Sequence, residues 1–595
     1  MNAQKSIAVL PFVNRSVHTE NEFFCDGMTE EIINSLAKIK QLKVTSKTSS
    51  FYFKGKNTPL SEIARTLNVS AILEGSVRLH DNQIRVSAQL INVKDDTHIW
   101  SETWDRFLDN VFEIQDEISL FIADKLREQF GHFDIQEHLN TAPTYNLDAY
   151  QECLLGRSLF NKWNPEDVNA AITHFEKAVM LDPNLIEAHT GLADGYSFLA
   201  VAGFAPREKA WKKSIDHLEK AKSIDHNNAP LNYLLANQAF FTEASFEKAM
   251  EYIQIALVNK PNYSEAIQFI AFLFILRGDK KEAQKYILFA KSIDPLNQET
   301  KFYEAYFHYR FRQYNRAKSL LEELLEANNR NLPAVITMAY LLLKTAEFDQ
   351  ADKILNNVPG EMIMPDEKLG LQCIHMALSG ENEALGPMLN ELEKNALNDS
   401  SFQAHAYLYK VYCCLDKYDE AFKILEKLFN NKSSILLLSF GDPLAESIQV
   451  DTRYKKYHSR IYRLHKLSSQ SKSKSSSLDN STANTYLTRL YSFMEQETPY
   501  LNPTLTLREL AGQIEIHPNQ LSWLLNEKIG KNFNTFINKL RIEHFKELIL
   551  KPENNHISLL GLAYESGFNS KTAFNTAFKR ETGITPKEYM NNTRL

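Results

Sequence analysis

The chain has 595 residues, of which 44% are hydrophobic and 24% charged, and its net charge is −7 at pH 7. This length suggests several domains, and the composition is typical of folded soluble protein rather than of disordered chains. The sequence contains no apolar run near the roughly 18 residues that span a bilayer and no signal-like apolar core, so we expect a cytoplasmic protein without membrane contact. The five cysteines lack metal-binding or redox spacing, and we expect neither metal nor cofactor.

Residues 1–130 are predicted to form an α/β domain. The predicted elements are strands at 6–12, 42–45, 71–79, 83–93 and 97–104 and helices at 28–39, 59–67 and 111–126. Asp81-Asn82 separates two alternating apolar segments and indicates a hairpin. No glycine-rich phosphate-binding motif follows the first strand, so we predict no enzymatic activity.

Three segments of this domain resemble a known family. They are Phe23–Glu31 (Phe-Phe-Cys-Asp-Gly-Met-Thr-Glu-Glu), Thr48–Gly55 and Leu73–Val77. Together they resemble the TolB-like amino-terminal domain that precedes tetratricopeptide repeats in bacterial signalling proteins, including some next to nucleotide cyclases. The resemblance implies an α/β fold and a regulatory setting without a known ligand, and no cyclase domain follows in this sequence.

Residues 145–465 are predicted to form an all-α solenoid. Ala249, Ala283, Ala317 and Ala351 recur every 34 residues, each after a polar or charged pair. This period resembles tetratricopeptide repeats, in which a small residue occupies the helix crossing. Ala384 and Ala421 are predicted to extend the register with slips, and Ala171 is predicted to begin it before an insertion around residues 204–206. Such repeats imply a protein or small-molecule effector at the repeats or the amino-terminal domain. The aromatic residues between 302 and 311 could line a groove, but more often such residues are repeat core.

Residues 466–483 are rich in Ser and Lys and are predicted to be a flexible linker. The preceding segment, 453–466, carries Lys and Arg with no acid among them. It could attract phosphate in a salt-dependent way, or it could be a solvated tether.

Residues 484–595 contain two helix–turn–helix patterns. Thr506 and Ser558 precede apolar-periodic runs and are predicted N-caps, and Gly567 occupies a turn where a positive φ is expected. A helix over 532–550 joins the two patterns and spans about 27 Å. A rod of that length could hold two recognition helices near one duplex turn apart, about 34 Å, so one chain could contact two successive major-groove segments.

The segment Gly567–Gly583 (Gly-Phe-Asn-Ser-Lys-Thr-Ala-Phe-Asn-Thr-Ala-Phe-Lys-Arg-Glu-Thr-Gly) carries the strongest resemblance. With Thr585-Pro586 and Tyr589, it resembles the all-α double helix–turn–helix DNA-binding domain of AraC-type transcriptional regulators. The positions that contact bases in that family correspond here to Asn519, Ser522 and Trp523 in the first unit and Lys571, Thr572, Asn575 and Thr576 in the second. Lys579 and Arg580 are candidates for phosphate contacts.

Some residues depart from the family pattern or allow another interpretation. Glu515 stands where a small residue is usual, His517 replaces a Ser or Thr cap, and Thr576 replaces a frequent Arg. Lys571 could contact phosphate rather than a base, since phosphate contacts are about half or more of such interfaces. Trp523 could pack on the domain surface.

Two functions therefore remain open. The first is a sequence-specific transcriptional regulator that binds double-stranded DNA, with the TolB-like and repeat regions sensing a signal or partner. The second is an interaction scaffold whose terminal helices are only a docking module. Nearly balanced charge after Asn484 gives the scaffold some support, whereas the Gly567–Gly583 signature favours the regulator.

Overall fold

The structure is a computed structural model of the full chain. It describes all residues except 1–4, 17–20, 81, 95–96, 108–110, 140–143, 162–164, 202–203, 360–365, 399–400, 465–477 and 594–595. Most of the predicted linker, together with Asp81, thus lies outside the described residues.

An α/β unit opens the chain. Its strands are β1 (Ser6–Val9), β2 (Val13–Asn14), β3 (Lys43–Val44), β4 (Ala71–His80), β5 (Gln83–Asn92) and β6 (Thr97–Phe107), and its helices are α1 (Glu22–Ala37), α2 (Lys47–Phe51), α3 (Leu60–Leu67) and α4 (Val111–Phe130). The sheet order is β3-β1-β4-β5-β6, with β2 also paired to β4. β4 pairs with its parallel neighbours β1 and β2 and with antiparallel β5, and His80 faces Gln83, as a two-residue hairpin requires.

The sheet buries apolar side chains on both faces. One face packs against α1 and α4, whose Ile32, Ile118 and Ile122 are fully buried. The other face packs against α3 through Ile63 and Leu67. The position of α4 is therefore fixed by the core along most of its length.

A long series of paired helices follows. These are α5 (Leu147–Phe160), α6 (Pro165–Leu181), α7 (Ile186–Val201), α8 (Arg207–Ile224), α9 (Ala229–Phe241), α10 (Phe246–Asn259), α11 (Ser264–Arg277), α12 (Lys280–Ile293), α13 (Gln298–Arg310), α14 (Tyr314–Ala327), α15 (Leu332–Lys344), α16 (Phe348–Asn356), α17 (Glu367–Ser379), α18 (Asn382–Asn395), α19 (Phe402–Cys414) and α20 (Tyr418–Asn430). The four alanines spaced by 34 residues each lie in the second helix of a pair and are fully buried. The predicted repeat register is therefore confirmed for these four pairs.

The prediction for Ala384 was wrong. Ala384 is exposed, and the buried residue is Leu385, 34 positions after Ala351. The period thus continues without a slip, and Leu occupies the place of the small residue. The turns keep the same period, since positive φ angles occur at 244, 278, 312, 346 and 380. Only Gly278 and Gly380 among these are glycines, so most of these turns carry no glycine signal in the sequence.

The aromatic residues of α13 divide between core and surface of the repeats. Phe307 and Tyr309 are buried, and Phe302, Tyr303 and Tyr306 are partly buried against the same core. The preference for repeat core is confirmed for the first two.

The α/β unit packs on the repeats through polar contacts. Asn262 Nδ2 donates to the carbonyl oxygens of Ile39 and Leu42 at 3.2 and 2.9 Å. Ser49 Oγ donates to Asp294 Oδ1 at 2.7 Å. These groups are buried, so the contact is specific in its geometry.

The repeats end in α21 (Ile435–Ser439), a kinked 3-10 segment (Pro443–Val450) and α22 (Arg453–Ile461). Arg453, Arg460 and Arg463 form ion pairs with acids of the repeat region, such as Glu426 with Arg460 at 3.2 Å. These three arginines are therefore held to the repeat region and do not belong to a free tether. No helix in the described ranges combines the length and the apolar content that a membrane crossing needs.

The carboxyl-terminal domain contains seven α-helices among its described residues: α23 (Asn480–Gln496), α24 (Leu507–Gln513), α25 (Pro518–Trp523), α26 (Phe533–Leu550), α27 (Leu559–Glu565), α28 (Lys571–Thr582) and α29 (Pro586–Thr593). Asp479 caps α23, so residues 480–483 are its first turn rather than part of a linker. The first half of α26 buries Phe533, Phe536 and Ile537 in one core, and its second half joins another core. One helix thus carries both helix–turn–helix units, as predicted.

Candidate nucleic-acid interface

The first helix–turn–helix unit consists of α24 and α25. Thr506 forms a capping box with Glu509, which satisfies two amide groups at the start of α24. Glu515 takes φ +52° in the turn, the left-handed conformation that a glycine adopts without strain. His517 Nδ1 accepts from the Asn519 amide at 3.1 Å and caps α25. His517 therefore supplies the cap of α25, whereas Glu515 holds a backbone conformation that costs a residue with a Cβ about 1–2 kcal/mol. A π-helical turn, Leu524–Ile529, extends this first recognition helix.

The second unit consists of α27 and α28. Ser558 and Ser570 cap the two helices through their side chains. Gly567 has φ +90° in the intervening turn, as predicted. Phe574 and Phe578 are buried against Phe545 of α26, with ring centroids 4.7 and 5.5 Å from it. These contacts fix the orientation of α28, the second recognition helix.

The second unit also touches the segment that leads into the first unit. A Cβ at position 567 would clash with the carbonyl oxygen of Tyr500. Arg541, in the middle of α26, donates to the carbonyl oxygens of Tyr500 and Asn502, both at 2.7 Å. Arg541 thus has a structural role, and the turn of the second unit is held against the segment that precedes the first unit.

The candidate residues of the second unit share one exposed surface of α28. Lys571, Thr572, Asn575 and Thr576 are all exposed, and within the described part of the chain none forms a side-chain hydrogen bond. Spacings of one, three and four residues place these side chains on one side of a helix. A polar face of this kind is free to meet base edges in a major groove. Lys579 and Arg580 are exposed at the end of the same helix.

The candidate residues of the first unit are placed differently. Asn519 Oδ1 accepts from Arg127 Nη1 at 2.6 Å and from the Ile135 amide at 3.1 Å, and its Nδ2 donates to the Ile135 carbonyl at 3.0 Å. Ser522 is fully buried. Trp523 is partly buried against the core of its own unit, which matches its surface-packing interpretation. In this arrangement neither Asn519 nor Ser522 is available to a base.

Sequence reasoning missed the contact between the first unit and α4. Arg508 Nε lies 2.8 Å from Asp124 Oδ2, and the Leu507 amide donates to Glu128 Oε1 at 2.8 Å. Arg127 lies behind these groups and is fully buried. Burial lowers the pKa of Arg127 and raises the pKa of Glu128, because each charged form loses water.

A second set of bonds extends this contact to α26. Asn532 Nδ2 donates to the Gln129 carbonyl at 2.8 Å, and Asn534 Nδ2 donates to Gln129 Oε1 at 3.2 Å. The end of α4 therefore contacts the helix–turn–helix unit from its first helix to the start of the linking helix. These residues are nearly 400 positions apart in the sequence, and no periodicity or motif could have revealed the pairing.

Family comparisons match two parts of the chain. Residues 510–592 match the model described as a helix-turn-helix domain, and residues 309–362 match a tetratricopeptide repeat. The first match spans both recognition helices, and the second covers α14, α15 and α16. The chain thus carries repeats followed by a helix–turn–helix domain.

Several curated proteins are similar to parts of the chain. "Putative adenylate cyclase 3" of Rhizobium meliloti is 35% identical over 191 residues, which is 32% of either chain. The transcriptional regulator HilA of Salmonella typhimurium is 20% identical over 311 residues, 51% of this chain and 50% of that protein. The uncharacterized transcriptional regulatory protein YesN of Bacillus subtilis is 30% identical over 91 residues, 15% of this chain and 24% of YesN. The chain spans half or less of each relative.

Solved structures give only distant likenesses. Yeast Tom70 has 16% identity and a TM-score of 0.28, covering 59% of this chain and 77% of that one. Pseudomonas aeruginosa pilF has 18% identity and a TM-score of 0.27, covering 36% and 96%.

Residues 510–592 are therefore similar to helix–turn–helix domains, and two of the relatives named above are called transcriptional regulators. The TolB-like resemblance of residues 1–130 stays a prediction.

Proposed function

We propose that this protein is a sequence-specific transcriptional regulator whose carboxyl-terminal domain binds double-stranded DNA through α28 and, in a second state, through α25. Lys571, Thr572, Asn575 and Thr576 contact base edges, and Lys579 and Arg580 contact phosphates. Asn519, Ser522 and Trp523 form the corresponding set in the first unit.

The free face of α28 carries this proposal. Its four polar side chains are exposed side by side, and the buried phenylalanines behind them fix the helix in place. Asn pairs in a bidentate manner with adenine, and Lys with guanine, in major grooves. A docking helix for another protein would instead need apolar anchors on its outer face, since such helices bind through apolar side chains at i, i+3 and i+7.

The α/β unit and the repeats are proposed as the sensing module for a protein or small-molecule effector. The buried Asn262 and Asp294 contacts join them, so a ligand on either is coupled mechanically to the other. The bonds between α4 and the first unit connect this sensing module to the DNA-binding domain, so a ligand on the module can change DNA binding.

A gel-shift experiment tests the assignment to α28. The probe is a duplex recovered by selection with the purified full-length protein. Lys571→Ala combined with Asn575→Ala should weaken specific binding at least about tenfold, because each base contact contributes about 1–3 kcal/mol. Lys587→Ala with Asn591→Ala is the matched control, since it removes the same two residue types from exposed positions on α29. Equal affinity of the test and control variants would refute the assignment.

The scaffold alternative is separated by chromatin immunoprecipitation with sequencing. A regulator gives discrete peaks that share a sequence and disappear with the double variant. A scaffold gives no peaks linked to a sequence.

A further inference from the structure

The first recognition helix presents one surface to the α/β unit. We name Asn519, Ser522 and Asn526 the first recognition surface, because spacings of three and four residues place them on one side of a helix. Asn519 bonds to Arg127 and Ile135 at one end of this surface. At the other end, a Cβ on Gly131 would lie 2.5 Å from Asn526 Oδ1. Ser522, between them, is fully buried.

We propose that residues 124–135 and DNA compete for the first recognition surface, so that the chain in this state can bind DNA through its second unit alone. The inference rests on the proposed function. It adds that the α/β unit is an intramolecular inhibitor of the first unit, and that two-segment binding requires their separation.

The chemistry of the contact resembles that of a DNA backbone. Asp124 and Glu128 present carboxylate oxygens to the Arg508 guanidinium and to the Leu507 amide, both at 2.8 Å. Guanidinium and backbone N–H groups are common phosphate ligands in protein–DNA interfaces. The side-chain amide of Asn519 both accepts a hydrogen bond from Ile135 and donates one to it, which is how an asparagine pairs with a base edge. The carboxylates of Asp124 and Glu128 thus occupy the places that DNA phosphates would take. The main-chain N–H and C=O of Ile135 occupy the place of a base edge.

Two features indicate that this contact can open. The bonds described above are hydrogen bonds and one ion pair, and such polar groups lose little when water or phosphate replaces their partners. The buried Ser522 Oγ has no hydrogen-bond partner among the described residues, which penalises the closed state. α4 itself is held by Ile118, Ile122 and Leu126 in the sheet core, so opening must move the DNA-binding domain rather than unravel α4.

Removal of one carboxylate tests the competition in solution. Asp124→Asn keeps the side-chain volume but removes the charge facing Arg508. It should tighten binding to a selected two-segment duplex about tenfold, as expected from weakening one charge-assisted bond. It should leave binding to a duplex with only the second segment unchanged. Glu113→Gln, an exposed acid at the start of α4, removes the same charge without touching the contact. Equal effects of both variants would overturn the proposal.

A reversible crosslink tests the geometry. Gln129→Cys with Asn534→Cys, joined by a short thiol-reactive linker that reduction removes, bridges two positions whose native side-chain amide groups lie 3.2 Å apart, and Gln129→Cys alone controls for the native cysteines. The linked form is called the oxidised protein and the unlinked form the reduced protein. In the Asp124→Asn background, the reduced protein should protect two successive segments in a footprint and the oxidised protein only one. Two segments protected by the oxidised protein would overturn competition. One segment protected by both forms would overturn the competition but would still leave the second unit as a DNA-binding unit. The absence of a discrete footprint from either form would refute the proposed function as well.

Discussion

Gly567 packs the turn of the second helix–turn–helix unit against the segment before the first, and its replacement by Ala gives a quantitative test of that contact. Gly567 adopts φ +90°, and an added Cβ would clash with the Tyr500 carbonyl oxygen. The left-handed conformation costs a residue with a Cβ about 1–2 kcal/mol. Displacement of the packed main chain adds about 1–3 kcal/mol. Gly567→Ala should therefore destabilise the second unit by about 3 kcal/mol.

Gly583 supplies the matched control. It also has a positive φ, +79°, but an added Cβ there would meet no atom within 4 Å. Gly583→Ala should cost only about 1–2 kcal/mol. Hydrogen exchange with mass spectrometry on peptides from 559–593 of the full-length protein measures both. The difference in stability between the two variants predicts that these peptides exchange at least about tenfold faster in Gly567→Ala than in Gly583→Ala. Equal exchange in the two variants would show that the turn does not press on Tyr500.

Further predictions concern the repeats. Ala283→Leu should overpack a fully buried helix crossing, destabilise the protein by about 1–3 kcal/mol and lower the thermal unfolding midpoint. Ala384→Leu, at an exposed position of α18, should change the midpoint little. Equal shifts of the midpoint in the two variants would contradict the repeat register. Burial and the nearby Glu265 carboxylate raise the pKa of Asp194 to about 7. Because this lies above the usual value near 4, folding disfavours the ionised form and stability falls as pH rises from about 4 to about 7. Asp194→Asn should therefore stabilise the protein more at pH 8 than at pH 5, by about 1–2 kcal/mol. Asp216→Asn, at an exposed position, should show no such difference between the two pH values. A stabilisation by Asp194→Asn that is the same at both pH values would contradict the raised pKa.

Local signals in the sequence identified much of the architecture. Thr506 and Ser558 are N-caps and Gly567 has a positive φ, as their positions predict, because capping and turn geometry depend on a few neighbouring residues. The alanines of the repeats revealed their register because a small residue is needed where helices cross closely. The same reasoning failed at Ala384, because Leu385 is the buried residue at this crossing and a leucine gives no small-residue signal.

The docking of the first unit on α4 could not be predicted. Asn519 and Arg127 are 392 positions apart, and each has an ordinary sequence context. An Asn in a recognition helix has the same pattern whether it faces a base or another domain, because both partners offer one donor and one acceptor. The exposed set on α28 was easier to identify, since it combines a polar face with buried phenylalanines at helical spacing.

Sequencing of DNA fragments selected by the purified full-length protein tests the central claim most directly. We expect one enriched sequence motif. The double variant Lys571→Ala and Asn575→Ala should lose the base preference at the strongest positions of this motif, and the control variant Lys587→Ala and Asn591→Ala should keep it. Random recovered fragments, or a motif unchanged by the α28 substitutions, would contradict it.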